Sequence, residues 1–512
     1  MPYGEILRQE LLKDVHLTRY TANLVAIIVV MKWMVTERCT SNTIHSQSSS
    51  NHRSNEVDDQ KMPNQELAIN GDNNICTFRF CLQPQLVPMA GYPLETYKLT
   101  SSDGYILTVF RLPNMNYPHS NGYSVFVQHG ILSKIYMNYP HSNGYSVFVQ
   151  HGILSNGANF VTLGNVSLVY LLWDAGYDVW FTIRSTDVWV GNFRGTYYSQ
   201  DHINLTVYDK EYWDHSIDEM ATIDMPLIMD FISKTTARRG NIYYIGHSLG
   251  TTIALMYAAA YPEESAQHVR MFVFMAPAYT LSNMISPYKQ IVPLVPLVWK
   301  IATDFDLYRL LGQSQPLRAI IIKRQSQPLR AITQIFCLES PILIQLCAQL
   351  HNLFYGPTTG VGSEKVPVYY NIVPGGTALK VLAQAADLVA NHFRKFDYGV
   401  KNLEKYGTVK PPPYDISKIK APCYIMYGMN DWVAGKKDAI NLYNTLSPEA
   451  RYGIREINDG DFNHLDFIYG RHAKQYVYDR IINLFDTFPN KTYNNTYTNA
   501  SLLSFRKEFI LR

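Results

Sequence analysis

The chain has 512 residues, of which 47% are hydrophobic and 17% charged, a balance typical of folded globular proteins and not of disordered chains. The formal net charge of +3 and the lack of a Lys/Arg-rich run exclude nucleic acid from the predicted partners. This length allows two or three domains, or a single α/β enzyme that carries insertions.

The N-terminal region contains one short apolar run, LVAIIVVM at residues 24–31, with basic residues on both sides. Its size fits the core of a signal peptide and is too short to cross a bilayer unaided. We therefore predict a signal-peptide-like segment over residues 1–38 and entry into the secretory pathway; an uncleaved anchor and a misassigned start are the alternatives. The polar stretch 39–85 predicts a disordered linker.

An identical stretch of 19 residues, MNYPHSNGYSVFVQHGILS, occurs at 115–133 and again at 137–155. Each copy contains a strand-like run followed by His-Gly, and a sheet has one place for such a strand, so one copy is predicted to be surplus. DVW recurs at 178–180 and 187–189, and QSQPLRAI recurs at 313–320 and 325–332. These odd lengths match no solenoid repeat, which leaves a sequence-assembly error or a tandem duplication as the explanation.

A nucleophile is predicted in the segment GNIYYIGHSLGTTIALMYAAAY at 240–261. A β-branched and aromatic run over 242–245 predicts a buried strand, and the Ala- and Leu-rich run from 251 predicts a helix. Between them lies G-H-S-L-G, in which Ser248 would occupy a sharp strand-to-helix turn with its Oγ exposed. The glycines leave room at that turn, and the helix N-terminus favours negative charge. The alternative is a glycine-flanked turn that contains an ordinary serine.

Six cysteines are present and none forms a CxxC pair, so no zinc or redox motif is predicted. Cys337 and Cys347 are ten residues apart and would close a small disulfide loop in an oxidising compartment. Two buried thiols on one helix explain the spacing equally well.

A serine needs a base to take its proton and an acid to orient that base. Asp431 follows the strand-like run 423–427 and is the predicted acid; its rival Asp438 lies on a helix-like segment, where a solvated position is expected. His464 lies in the loop DGDFNHLDFIYG and is the predicted base, whereas His472 is expected inside the following amphipathic helix. The alternative is that His464 only caps that helix.

These motifs, taken in order, resemble those of the acid lipase family of α/β-hydrolases. The matching blocks are GYPLETYKLTSSDGYILTVFRLP, VFVQHGIL, DEMATIDMPLIMDFI, GHSLGTT, YGMNDWVA and FNHLDF, between about residues 86 and 485. The resemblance implies an α/β-hydrolase fold, with a mostly parallel central sheet flanked by helices. It also implies hydrolysis of triacylglycerols or sterol esters without a metal or organic cofactor. It places a catalytic domain over 86–487, with a cap insertion at about 276–395 and a tail over 488–512.

The resemblance also gives the His-Gly segment a function, because the fold supplies one oxyanion-hole N–H from the residue after the nucleophile and another from a loop after an early strand. The first is Leu249. The second is Ile131 or Ile153, depending on the copy. We predict the second copy, with His151, Gly152 and Ile153, because its surplus partner then lengthens only a surface connection.

The predicted chemistry is attack by Ser248, proton transfer through His464, orientation by Asp431 and oxyanion binding by Leu249 and Ile153. The apolar, proline-broken segment SNMISPYKQIVPLVPLVWKIATDF predicts a lid that meets a lipid–water interface, or else ordinary buried packing. The predicted partner is a lipid ester, without an obligatory protein partner, in a secreted or lysosomal enzyme. A small-ester carboxylesterase and a non-catalytic or inactive lipase-like protein are the competing hypotheses.

Overall fold

The computed structural model describes residues 83–113, 145–175, 187–236, 239–295, 309–310, 337, 341–373 and 375–488. The predicted signal segment, the first copy of the 19-residue repeat, the first DVW and both QSQPLRAI copies lie outside these ranges. The first described helix, Gln83–Met89, includes the last three residues of the predicted linker.

A twisted sheet of nine strands organises the described part of the chain. Its strands are β1 (Glu95–Thr100), β2 (Tyr105–Leu112), β3 (Ser146–Gln150), β4 (Asp187–Val190), β5 (Asp201–His202), β6 (Ile242–His247), β7 (Val269–Met275), β10 (Cys423–Gly428) and β11 (Arg451–Ile457). The spatial order is β1-β2-β4-β3-β6-β7-β10-β11, with β5 paired to β2. A small pair, β8 (Arg309–Leu310) and β9 (Thr377–Ala378), lies outside this sheet.

Six neighbouring strands, from β4 to β11, run parallel, whereas β1 and β2 form an antiparallel hairpin at one edge. The central strands β3, β6, β7 and β10 are buried along their whole length, because helices cover both faces of a parallel sheet. This burial explains why their sequences are continuous apolar runs and do not alternate. The mostly parallel sheet that the sequence predicts is therefore present.

The second copy of the repeat supplies β3, which pairs in parallel with β4 on one side and with β6 on the other. The second DVW likewise supplies the first three residues of β4. Both strands therefore come from the later member of a repeated pair.

Helices flank the sheet and also fill the long connection between β7 and β10. Those before this connection are Leu168–Asp174, Ile217–Glu219, Met225–Thr236, Leu249–Ala260 and Pro262–His268. Those within it are Tyr288–Ile291, Pro341–Tyr355, Val366–Ile372, Leu379–Val389 and Asn402–Tyr406; those after it are Lys436–Thr445, Asp466–Tyr469 and Asp479–Thr487. The connection includes the range 276–395 predicted as a cap.

A disulfide joins Cys337 to Cys347, the latter on the helix Pro341–Tyr355. Both cysteines are buried and pack with Val366 of a neighbouring helix. The bond therefore links the long helix of the insertion to the chain that precedes it.

Candidate active site

The predicted site residues all follow strands at the carboxyl edge of the parallel sheet. Ser248 comes directly after β6 and His151 directly after β3. Asp431 follows the end of β10, and His464 follows the end of β11. Because the carboxyl ends of parallel strands meet at one edge, residues far apart in sequence share one crevice.

Ser248 occupies a strained turn between β6 and the helix Leu249–Ala260, with φ of 52° and ψ of −119°. A non-glycine residue in this region is rare and strained, and it stays there only when the surrounding structure holds it. The flanking glycines have no space for a side chain. A Cβ on Gly246 would lie 2.9 Å from the backbone of Gly250, and a Cβ on Gly250 would lie 2.6 Å from the carbonyl oxygen of Gln150. The turn therefore needs both glycines of the motif.

The three side chains predicted as a triad lie within hydrogen-bond distance of one another. His464 Nε2 is 3.0 Å from Ser248 Oγ, and His464 Nδ1 is 2.9 Å from Asp431 Oδ2. All three residues are buried. Since a carboxylate only accepts, Nδ1 of a neutral His464 carries the proton and Nε2 faces the serine hydroxyl as an acceptor.

The backbone after Asp431 fixes its carboxylate. Asp431 Oδ1 accepts the N–H groups of Val433 and Ala434 at 2.9 and 2.8 Å, which leaves Oδ2 for the imidazole. The carboxylate of Asp431, the predicted acid, therefore has a defined orientation.

The His-Gly segment of the second repeat lies against Ser248. A Cβ on Gly152 would be 3.2 Å from the Cβ of Ser248. Ile153 comes next in this loop, and Leu249 begins the helix on the other side of the serine. The two predicted oxyanion donors therefore belong to segments that border Ser248.

His151 is a buried, neutral imidazole that shapes this loop. Burial lowers its pKa to about 4. Its Nε2 accepts the N–H of Phe193 at 3.2 Å, so Nδ1 carries the proton and donates to the carbonyl oxygen of Gly152 at 2.8 Å. The insertion also touches this loop, because Gly375 N–H donates to the carbonyl oxygen of Leu154 at 2.5 Å.

Two sequence predictions about the rival residues were wrong. Asp438 is buried and not solvated, because its carboxylate accepts from the backbone and side-chain amides of Asn283 at the start of the insertion. His472 lies just before the consecutive helical segments Lys474–Tyr478 and Asp479–Thr487, not inside them. It is exposed, and its Nδ1 is 3.4 Å from Asp459 Oδ2. Neither residue lies in the hydrogen-bonded group around Ser248.

The sequence reasoning also missed His247, the residue before the nucleophile. Burial lowers its pKa to about 3, so its imidazole is neutral, and its Nε2–H donates to the carbonyl oxygen of His464 at 3.1 Å. The strand β6, which precedes the predicted nucleophile, thereby also holds the backbone of the predicted base. No local pattern could have indicated this contact, since 217 positions separate the two residues.

Two family models match the chain in consecutive regions. The α/β-hydrolase fold family matches residues 145–470, and a partial α/β-hydrolase lipase region matches residues 84–137. Human lysosomal acid lipase/cholesteryl ester hydrolase is 31% identical over 408 residues, which cover 78% of this chain and 89% of that protein. This chain belongs to the acid lipase family of α/β-hydrolases.

Other members of the acid lipase family show similar agreement. Human lipase member K is 29% identical over 417 residues, which cover 79% of this chain and 90% of that protein. Mouse lipase member M is 29% identical over 414 residues, which cover 79% of this chain and 86% of that protein. The chain is accordingly a carboxylic ester hydrolase. None of the helices in its described ranges has the length and apolar character needed to cross a bilayer.

Proposed function

We propose that this acid lipase family member hydrolyses triacylglycerols or sterol esters through a Ser248–His464–Asp431 triad and an acyl-enzyme. The observation that carries the proposal is the chain of contacts from Ser248 Oγ to His464 Nε2 at 3.0 Å and from His464 Nδ1 to Asp431 Oδ2 at 2.9 Å. Such a chain activates a hydroxyl that is otherwise a weak nucleophile.

The first half-reaction is acylation of Ser248. Its Oγ attacks the ester carbonyl carbon while His464 Nε2 takes the hydroxyl proton. Collapse of the tetrahedral intermediate breaks the bond to the alcohol oxygen, which leaves with the proton from His464. Asp431 keeps the imidazole in the required tautomer and stabilises its cation.

The second half-reaction returns the serine. His464 takes a proton from water, the resulting hydroxide attacks the acyl carbon, and the fatty acid leaves as Ser248 regains its proton. In both halves the negative oxygen receives hydrogen bonds from the N–H groups of Leu249 and Ile153. The position of the His-Gly loop beside Ser248 supports this role.

The helix Pro341–Tyr355 supports a lipid as the substrate. Its sequence, PILIQLCAQLHNLFY, contains no Asp, Glu, Lys or Arg. One face packs inward through Cys347 and His351, whereas the opposite face exposes four large aliphatic side chains: Ile342 (81%), Leu346 (55%), Leu350 (42%) and Leu353 (49%). An uncharged helix with an exposed apolar face suits contact with a lipid–water interface.

Secretory-pathway localisation, with the protein secreted or lysosomal, is part of the proposal. The disulfide Cys337–Cys347 fits an oxidising compartment, and the asparagines of two N-x-S/T sites, Asn165 and Asn204, are exposed. A glycosidase-sensitive mass shift that disappears on Asn165→Gln and Asn204→Gln substitution would support it; unmodified protein from secreting cells would contradict it.

The decisive test of the triad is Ser248→Ala. We expect hydrolysis of a soluble p-nitrophenyl ester to fall by about 10⁴-fold or more, and covalent labelling by a serine-reactive phosphonate to disappear. Retained turnover at the wild-type rate would refute the assignment.

The substrate class is tested separately on the exposed helix face. Replacing Ile342, Leu346 and Leu350 with Gln should lower the rate on emulsified triacylglycerol by about ten-fold, while the soluble ester is hydrolysed as before. Gln345→Ala and Gln349→Ala on the same helix serve as the control. Equal loss on both substrates, or no loss on the emulsion, would favour a small-ester carboxylesterase.

A further inference from the structure

The loop that carries His464 closes on itself through two flanking residues. Asn463 Oδ1 accepts the N–H groups of Leu465 and Asp466 at 2.8 and 3.1 Å. In return, Asp466 Oδ2 accepts the N–H of Asn463 at 2.7 Å. This reciprocal exchange is that of a capping box, and the predicted base is the residue directly inside it.

Both residues of this pair also bind one segment of the insertion, residues 355–360, which we call the strap. Asn463 Nδ2 donates to the carbonyl oxygen of Gly356 at 2.6 Å, and the hydroxyl of Thr358 donates to Asp466 Oδ2 at 2.7 Å. Asp466 and Asn463 are buried, so these bonds are shielded from water and their loss is costly. The strap continues directly from the helix Pro341–Tyr355.

The strap contacts the loop of the acid as well. The carbonyl oxygen of Tyr355 accepts the N–H of Trp432 at 3.2 Å, and the carbonyl oxygen of Pro357 accepts from Asn430 Nδ2 at 2.5 Å. The Tyr355 ring lies nearly parallel to the imidazole of His464, with 6.0 Å between centroids. One short segment therefore borders both partners of Ser248.

We propose that Asp466 is a positioning residue for His464: with Asn463, it joins the loop of the base to the strap through Thr358. The inference rests on the proposed function, since it concerns the same base. Asp466 touches neither Ser248 nor the reacting atoms, so it acts only through the loop. Because the loop is joined to the insertion, the geometry of the base depends on a segment more than 100 positions earlier in the chain.

The raised pKa of Asp466 is consistent with this position. Burial raises it to about 6, and the nearby carboxylates of Asp461 and Asp459 add to the effect. Its Oδ1 is buried and has no hydrogen-bond partner within the described residues. Burial of a carboxyl group costs free energy unless hydrogen bonds compensate, and the bonds of Asp466 to the loop and the strap supply that compensation.

The test compares two threonines of the strap. Thr358→Val removes the hydroxyl that binds Asp466 and keeps the side-chain shape. Thr359→Val is the matched control, because Thr359 is exposed and binds Asp461 through its N–H at 2.8 Å and its hydroxyl at 2.6 Å, outside the capping pair. Thr358→Ser restores the hydroxyl and is the rescue variant.

We expect Thr358→Val to lower kcat on a soluble p-nitrophenyl ester by about ten-fold with KM within about two-fold, since small misplacement of a catalytic group reduces the rate more than binding. Thr358→Ser and Thr359→Val should stay within about two-fold of the wild type. Rates are expressed per active site titrated with phosphonate, so that unfolded protein does not count.

Asp466 is tested by a second pair of variants. Asp466→Asn keeps an oxygen that accepts from Asn463 and Thr358, and should retain most of kcat, whereas Asp466→Ala should lose about 100-fold. If Asp466→Ala does not fold, the threonine pair still decides the matter. Equal kcat losses for Thr358→Val and Thr359→Val, or a lower melting temperature with unchanged kcat per titrated site, would overturn the inference. Failure of the proposed function itself would appear differently, as activity retained by Ser248→Ala.

Discussion

The two sides of the active site obtain their geometry from different parts of the molecule. Ser248 is held by the sheet, because its turn is confined between β6, the end of β3 and the glycines of the motif. His464 and Asp431 lie on loops, and these loops are fixed by hydrogen bonds to the strap of the insertion. The predicted nucleophile therefore depends on the sheet edge, whereas the predicted base depends both on the sheet edge, through His247, and on the strap.

This difference indicates where variation is tolerated. We expect changes in the strap to reach the predicted base through Gly356 and Thr358, which bind Asn463 and Asp466. Changes at the sheet edge disturb the serine directly.

The largest expected effect is a difference in kcat between variants of His464 and His472, and it tests the base side of the comparison. His464→Ala should lower kcat by about 10⁴-fold, whereas His472→Ala should remain within about two-fold, because His472 is exposed and pairs with Asp459. Initial rates on a soluble ester at neutral pH measure both. Comparable losses for the two variants would remove His464 from the proposed triad.

The next effect tests the nucleophile side. Gly250→Ala should lower kcat by about 10²-fold or prevent folding, because the new Cβ would lie 2.6 Å from the carbonyl oxygen of Gln150. Gly460→Ala is the control, since a Cβ there meets no atom within 4 Å. Kinetics and circular dichroism of both variants provide the measurement. A fully active Gly250→Ala enzyme would show that the sheet does not confine Ser248.

The smallest expected effect concerns the base side and is a change in the free energy of unfolding with pH. Because the folded-state pKa of Asp466 is raised to about 6, the stability it contributes is complete below its unfolded pKa and is lost as pH rises through 6. Asp466→Asn carries no charge, so its free energy of unfolding relative to wild type should increase between pH 4 and pH 7, by up to ~3 kcal/mol. Urea unfolding at pH 4, 5, 6 and 7 measures this difference. A difference that stays constant with pH would mean that Asp466 titrates normally.

The sequence predicts the parts of the site whose signals are local. Ser248 is recognisable because its strand, glycines and helix are contiguous, and Asp431 because it closely follows a strand. In this fold the histidine follows the acid in the chain, and only His464 and His472 come after Asp431. The position of His464 in a loop favours it over His472. The mostly parallel sheet, which the family resemblance implies, is confirmed, and its buried strands are continuous apolar runs.

The remaining features arise from contacts that have no local pattern. The sequence around Asp438 predicts a solvated position on its helix, because no residue near it in the chain indicates that Asn283 buries its carboxylate. The contact between the strap and the loop of His464 has no local sequence pattern either, since Thr358 and Asp466 are 108 positions apart. One signal was available: the N-x-x-D spacing of Asn463 and Asp466 is a capping-box pattern, and it surrounds the predicted base.

The strand β3 is drawn from one of two identical segments, so its own residues hold no information about which copy enters the sheet. We expect the residues immediately after the repeat to favour the second copy. After Ser155, the Asn156 side chain accepts the N–H of Ala158 at 3.0 Å, and the N–H of Gly157 donates to Asn192 Oδ1 at 2.9 Å. The first copy continues as Lys-Ile-Tyr, so a lysine stands at the position that corresponds to Asn156. We therefore expect these polar bonds, which lie just beyond the strand, to stabilise pairing of the second copy in the sheet relative to pairing of the first.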